Sequence, residues 1–417
     1  MAMRQWRRRD ALLGVLAASC ASPWVRAQPP RIAGAVRMAF IDPLSGPASD
    51  IGRNSLRSWQ FMARELGRLH GGPPIRVAGF DNKASPQESV NALKAAIDQG
   101  FRYIIQGNGS GVAAALSEAI TRHNTRFPDK AVILINYAAM DPALTAEKCS
   151  YWHFRIDADT SMKMRALTRH LGRQPDLTRV WLLNQNYAHG QQFALYFRQD
   201  IQQEAPAVQV VGDELHPAFS LEDFSAYVGR IKASDAQAVV TGNWGVDFRR
   251  LVHSMQAHKL WIPVYSYYPS LPGTPALLAT SGERLPVYQV ATNHTRQEGE
   301  ISELALRFRR EYGEDFVVYA AYDGIMMLQH AFRHVGSSDP VQVAARLSGA
   351  IFRGFNGPVS MRADDHQLQK GVYISRWQKV EGPREHTAEG TGHAFVPVDF
   401  MPASEIARDP TCQMLRP

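Results

Sequence analysis

Cysteine is scarce in this chain, with three residues in 417 (Cys20, Cys149 and Cys412) and no C-x-x-C pair. So few thiols cannot furnish a structural zinc site, and neither a metal nor a cofactor is expected. Long hydrophobic runs are missing as well: the apolar stretch 11–18 is too short to span a bilayer as a helix. Basic residues do not interleave with aromatics beyond the first thirty positions, which removes the footprint of a nucleic-acid binder. The formal charge of +7 misleads here, because residues 1–27 hold five Arg and one Asp, leaving 41 basic against 38 acidic residues elsewhere. Two catalytic patterns are absent too. The glycine-rich stretch 107–111 lacks the G-x-G-x-x-G spacing and follows a third strand rather than the first, and no G-x-S-x-G elbow surrounds Ser110. The chain is therefore not expected to be an enzyme, whether a dehydrogenase or one built on a serine nucleophile. No internal repeat is visible.

What the first thirty residues contain is a leader. Arg4, Arg7, Arg8 and Arg9 precede the apolar run, and Val25, Arg26, Ala27 offer small-residue cleavage before Gln28. The reading is an export signal over residues 1–27 that delivers a free periplasmic protein. Arg8, Arg9, Asp10, Ala11, Leu12, Leu13 resembles a twin-arginine signal. Lipoprotein anchoring at Cys20 is the disfavoured alternative, since Ala17 stands where Leu is usual. Export places Cys149 and Cys412 in an oxidising compartment, where one disulfide between them is expected; two separate thiols are the alternative.

Beyond the leader, short β-rich runs alternate with amphipathic helical patterns, which points to an α/β fold with parallel sheets covered by helices. Strands are expected at 37–41, 75–80, 103–105 and 132–135, then in a second series at 180–183, 208–211, 238–241, 262–265 and 287–291. A helix over 51–69 carries Leu56, Trp59, Met62, Ala63, Leu66 and Leu69 on one face, which is a core stripe. Ser85, Pro86, Gln87, Glu88 form a capping box with proline at the first helical position, and Ser220, Leu221, Glu222, Asp223 resembles one. Residues 301–312 and 318–335 read as helices, 358–377 as a hairpin, and the Gly-, Pro- and charge-rich tail 381–417 as irregular surface chain. The expected lobes are 35–156 with 290–355, and 157–289 with 356–380.

The most informative stretch is Gln106, Gly107, Asn108, Gly109, Ser110, Gly111. Between a strand and a helix it sets bare backbone N–H groups and a hydroxyl at a helix N-terminus, where anions bind. A plain turn needs the same residues, glycine for its backbone angles and Ser110 for an N-cap. The fourth strand ends in Asn136, Tyr137, Ala138, Ala139, Met140. Ligands of open α/β sheets sit beyond the carboxyl ends of strands, so the two stretches should be neighbours.

Together these stretches resemble the type I periplasmic solute-binding proteins of ABC transporters, specifically the branched-chain amino-acid (Leu/Ile/Val) binding group. The carrying motifs are Pro43, Leu44, Ser45, Gly46, Pro47 through Gly52, the sequence DNKASPQESV from Asp81, YIIQGNGSG from Tyr103, AAMDPALT from Ala138, and the segment 219–231. The resemblance covers roughly residues 35–380. It implies two Rossmann-like lobes joined by three hinge crossovers and a small-molecule ligand in the cleft between them. It also implies a monomer that delivers its closed form to an ABC permease in the inner membrane; a sensor that hands that form to a receptor is the alternative.

Carried over by position, the resemblance assigns Ser110 to the ligand carboxylate, with Asn108 beside it and the backbone of Ala138 and Ala139 assisting. Departures follow. Met140 stands where a threonine is usual and cannot donate a hydrogen bond. His189 replaces a tyrosine, Asn184 an aspartate, and Trp244 falls at an aromatic position. Tyr268 occupies the place of the acid that pairs a ligand ammonium. The carboxylate half of an amino-acid site is retained without the ammonium's countercharge, and burying an unpaired ammonium costs on the order of several kcal/mol. The expected ligand lacks an α-ammonium, and Tyr187, Trp244 and Tyr268 suggest a flat apolar body such as an aromatic acid; wall packing is the other reading of Met140 and the tyrosines. His189 either hydrogen-bonds the ligand, which would make binding pH-dependent, or is a turn histidine bonded to backbone. Asp323, within Tyr322, Asp323, Gly324, would restore the amino-acid reading if it faced the cleft.

Overall fold

Three strand-and-helix units and two further strands open the first lobe of this computed structural model, which describes residue 32, residues 34–383 and residues 386–417. The leader, with Cys20 and the cleavage point after Ala27, lies outside those residues. In order come β1 (Val36–Asp42), α1 (Ser49–His70), β2 (Ile75–Asp81), α2 (Pro86–Asp98), β3 (Tyr103–Gln106), α3 (Ser110–Arg126), β4 (Ile133–Asn136) and β5 (His153–Arg155). The sheet is parallel throughout, in the order β2-β1-β3-β4-β5. β3 and β4 are buried at every position, as strands covered on both faces must be. α1 buries Trp59, Met62 and Leu66, and Ser85 Oγ accepts the Glu88 N–H at 3.4 Å to start α2.

The second lobe continues with α4 (Thr160–Gly172), β6 (Arg179–Gln185), α5 (Ala188–Glu204), β7 (Gln209–His216), α6 (Ser225–Ala233), β8 (Ala238–Thr241), α7 (Gly245–Ala257), β9 (Val264–Ser266), α8 (Thr274–Ala279) and β10 (Val287–Ala291). The chain then returns to the first lobe for α9 (Glu300–Tyr312), α10 (Ala320–Val335), α11 (Pro340–Leu347) and the strands β11 (Ile351–Gly354), β12 (Gly357–Met361) and β13 (Leu368–Gln369). It ends with β14 (Val372–Lys379), β15 (His393–Met401) and α12 (Ala403–Ile406). The second sheet runs β15-β14-β10-β9-β8-β6-β7, with β14 and β15 antiparallel to their neighbours. The chain crosses between lobes after β5, after β10 and between β13 and β14.

Four sequence expectations are corrected here. Residues 358–377 are not one hairpin: β12 pairs with β11 and β13, whereas β14 joins the second sheet. Val359, Met361 and Leu368 pack into the first lobe's core with Ile325 and Phe332, so 356–369 does not go with the second lobe. The tail is not all irregular either, since β15 extends the second sheet along β14, its buried Ala394, Phe395 and Met401 supplying the apolar face that the Gly and Pro around them obscure. Asp223 caps no box with Ser220; its Oδ1 accepts the Ser225 N–H at 2.8 Å, and α6 begins there.

The 263-residue separation of Cys149 and Cys412 is closed by a disulfide, with Cα atoms 5.8 Å apart. It ties the tail, which leaves the second sheet through β15, back to the first lobe.

Candidate functional site

The turn after β3 is held from below by a buried carboxylate at the end of β1. Asp42 accepts the Tyr137 hydroxyl at 2.6 Å, the Asn108 N–H at 3.0 Å and the Asn108 side-chain amide at 3.2 Å. The Gly107 N–H and the Gln106 amide approach at 3.4 Å. Burial pushes the Asp42 carboxyl up to about 6 against the pull of these donors. Gly107 admits the Tyr137 ring, which an added Cβ would meet at 2.5 Å, and Gly109 has φ +99°. That left-handed angle lets α3 start abruptly at Ser110. The first intrahelical bond runs from Ala113 N to Gly109 O, so helix geometry leaves the N–H groups of Ser110, Gly111 and Val112 without an intrahelical acceptor. Ser110 is thus not the N-cap; its Oγ accepts the Asp141 N–H at 3.3 Å, which leaves its own O–H to donate.

The carboxyl ends of the two sheets face each other across a partly open cleft with a cavity volume of about 100 Å³. Asn108, Ser110, Ala138, Ala139 and Met140 line it from the first lobe, and Tyr187, His189, Trp244 and Tyr268 from the second. Tyr187 and Trp244 precede α5 and α7, and the indole Nε1 donates to the Tyr187 hydroxyl at 2.7 Å. Tyr268 reaches across, its hydroxyl donating to Ala138 O at 3.4 Å, so the lobes are closed on one another.

One expectation changes, for Ala138 and Ala139, and the surroundings of two further groups are now defined. The N–H groups of Ala138 and Ala139 are taken by Asn136 Oδ1 at 3.2 and 2.8 Å and are not free to assist a ligand. His189 Nε2 bonds Gly242 O at 3.1 Å, the backbone alternative; a carbonyl accepts, so Nε2 carries the proton. Asp323 does not face the cleft. It is buried on α10, pairs with the Lys370 ammonium and accepts the Phe355 N–H at 3.0 Å. Helical phase turns it away from the ligand side, towards the crossover that leads into β14.

Sequence reasoning missed the cleft's charged pair. Lys163, on α4, sets its Nζ 2.6 Å from Asp157 Oδ2 and 2.9 Å from Met140 Sδ. Burial pushes Lys163 below the ordinary lysine range despite its partner. Asp157 is raised by burial, but the Lys163 ammonium outweighs that and holds it below the usual carboxylate range. The signal was a lysine amid the apolar residues of α4, just after Asp157 and Asp159 at the lobe boundary. His330 and His334 on α10 form an H-x-x-x-H pair with ring centres 4.2 Å apart and planes tilted by 36°, but Arg346 donates to His330 at 2.9 Å, and among the described residues no group of three His, Cys, Asp or Glu could hold a metal.

Burial pushes His189 and His366 down to about 4 and His153 to about 3. The unfolded chain takes up these protons from about pH 6.5, the folded chain only near their lowered values. Stability is therefore complete above pH 6.5 and is lost as pH falls towards 4, about 2 kcal/mol per fully buried histidine by pH 4.5. Asp42, with its raised value, opposes this in part. Calorimetry between pH 7.5 and 4.5 should show a falling melting temperature; a flat profile would refute the assignment of neutral buried histidines.

Two α/β lobes with facing strand ends, three crossings and a closed cleft between them define a bilobal solute-binding protein. The chain belongs to the periplasmic binding protein family, which it matches over residues 35–382, and its lobes are the Rossmann-like pair of the type I arrangement. It is similar to Leu/Ile/Val-binding protein homolog 4 of Brucella abortus, at 26% identity over 400 residues covering 92% of this chain and 93% of that one. The leucine-, isoleucine-, valine-, threonine- and alanine-binding protein of Brucella ovis, in its closed conformation, superposes with a TM-score of 0.82 at 25% identity, covering 92% of this chain and 100% of that one. A solute-binding protein of R. palustris in complex with 4-hydroxybenzoate gives 0.74 at 18% identity, covering 88% and 97%. The protein is a solute-binding component of an ABC transporter, a class that binds and delivers rather than catalyses. Among the described residues no helix is long and apolar enough to cross a membrane.

Proposed function

We propose that the protein captures a small organic acid lacking an α-ammonium, an aromatic acid by preference, and presents it to an ABC permease in the inner membrane from a lobe-closed state. One observation carries the choice: among the described residues lining the cleft, Asp157 is the one carboxylate, and Lys163 already pairs with it. A ligand ammonium finds no free countercharge there, whereas a ligand carboxylate finds the N-terminus of α3 and the Ser110 hydroxyl. The rings of Tyr187, Trp244, Tyr267 and Tyr268 supply flat apolar walls. The fold itself is neutral on this point, since it serves both an amino-acid binder and a hydroxybenzoate binder. Ser110, Asn108, Met140, Tyr187, Trp244 and Tyr268 are the proposed ligand contacts, with His189 in the cleft wall held by Gly242 O.

The test is thermal-shift screening of the protein without its leader against 4-hydroxybenzoate, 3-phenylpropanoate, leucine and phenylalanine. An acid present at a hundred times its Kd stabilises the folded state by about 2.7 kcal/mol, which shifts the melting temperature measurably. Tight binding of leucine or phenylalanine overturns the reading.

A further inference from the structure

Resting on that reading of the cleft, we infer that Lys163 sets the charge of the ligand: by holding Asp157 it denies the cleft's carboxylate to any ligand ammonium. The Asp157 oxygens divide their partners. Oδ1 accepts the Thr292 hydroxyl at 2.8 Å and the Ala158 N–H at 3.0 Å, so the frame of the hinge fixes that oxygen. Oδ2 is met by the Lys163 ammonium at 2.6 Å. Lys370, the next nearest cation, is committed to Asp323 and does not compete. The Lys163 side chain is 1% exposed and that of Asp157 14% exposed, so the pair sits at the cleft wall with the lysine behind.

The surroundings of Nζ suit a cation rather than lysine in particular. The Tyr267 and Tyr268 rings lie 5.2 and 5.7 Å away, within cation–π range. Its other contact is the thioether of Met140, a weak acceptor. A carboxylate edge and two aromatic faces would hold an amino acid's ammonium equally well, and Lys163 occupies that place with an ammonium of the protein's own. Removing it frees Oδ2 for a ligand cation. Removing Asp157 instead leaves an unpaired lysine that draws anions.

The experiment is calorimetric titration of wild type, Lys163→Met and Asp157→Asn with two matched pairs that differ only in the ammonium: phenylalanine with 3-phenylpropanoate, and leucine with 4-methylpentanoate. Lys163→Met is expected to shift the affinity ratio towards the amino acid by about tenfold or more, the scale of one charge-assisted contact. Asp157→Asn is expected to shift it towards the acid. If circular dichroism shows Lys163→Met unfolded, Lys163→Gln, which removes the charge but keeps a donor for Asp157, decides in its place. Ratios within threefold of wild type in the deciding variant overturn the inference, and so does a folded Lys163→Met that binds neither amino acid more tightly than wild type. A wild type that prefers the amino acids defeats the proposed ligand class instead, and the variants' shifts still judge Lys163.

Discussion

Cys412→Ser should lower the stability of the protein by up to about 5 kcal/mol, the loop-closure entropy that a crosslink across 263 residues removes from the unfolded chain. The position of the disulfide adds a second consequence. β15 and α12 belong to the second lobe, where Arg408 pairs with Asp200 at 2.5 Å and Arg165 donates to Ala407 O at 2.7 Å. Beyond them the tail passes to the first lobe, where Cys412 meets Cys149 and the Arg416 guanidinium lies 5.7 Å from the centre of the Tyr151 ring. The tail is thus a fourth connection between lobes otherwise joined by three crossings, and the covalent one. Its loss should lower the denaturant midpoint and separate the unfolding of the lobes into a broader or two-step transition. Urea unfolding of wild type, Cys412→Ser and Cys149→Ser measures both. A change under 1 kcal/mol with an unbroken single transition would show that the ion pairs and β15 hold the tail without the bond.

Much of this arrangement was legible because it repeats local rules. Alternating apolar runs and amphipathic stripes locate the strands and helices of both lobes, and strand-end chemistry gathers Ser110, Met140, Trp244 and Tyr268 at one cleft. What was illegible depends on pairing across distance. Pro358 and Trp377 sit on strands of different sheets, and nothing local distinguishes that from a hairpin. β15 hides in a tail whose glycines, Gly382, Gly390 and Gly392, all precede it and whose prolines include Pro397 within the strand itself. Asp323 lies on a helix with buried residues on nearly every side, so periodicity cannot tell which lobe feature it meets. Lys163 lies on a helix of the same kind. Its role emerges only once α4 is packed beside the end of β4, where Met140 is, and against the tyrosines that follow β9.

Asp42→Ala should be the most damaging single change to ligand capture, although Asp42 itself lies beneath the cleft and is absent from its lining. The substitution removes the common acceptor of the Tyr137 hydroxyl, the Asn108 N–H and side-chain amide, the Gly107 N–H and the Gln106 amide. Buried donors left unpaired cost about 1–3 kcal/mol each, and partial relaxation of the turn reduces the sum to about 3–5 kcal/mol. That relaxation moves the residues that set the start of α3, so the aligned N–H groups and the Ser110 hydroxyl lose their common aim. Affinity for a bound acid should fall by about a hundredfold, since a displacement near 1 Å is enough to forfeit oriented contacts. Asp42→Asn separates the two roles of the carboxylate. Its amide oxygen still accepts the backbone N–H groups and its NH2 can donate to the Tyr137 oxygen, but it loses the bond from the Asn108 side-chain amide to Oδ2, so it should keep more of the affinity than Asp42→Ala and less than wild type. It cannot titrate, however. Wild-type Asp42, pushed up to about 6, takes up a proton in the folded state before the unfolded one and so favours folding as pH falls through 6. Asp42→Asn should therefore steepen the acid lability that the buried histidines impose. Calorimetry of both variants at pH 7.5 and 5, alongside titration with the acid that binds wild type, tests the scheme. Wild-type affinity in Asp42→Ala would show that the turn holds Ser110 without its anchor.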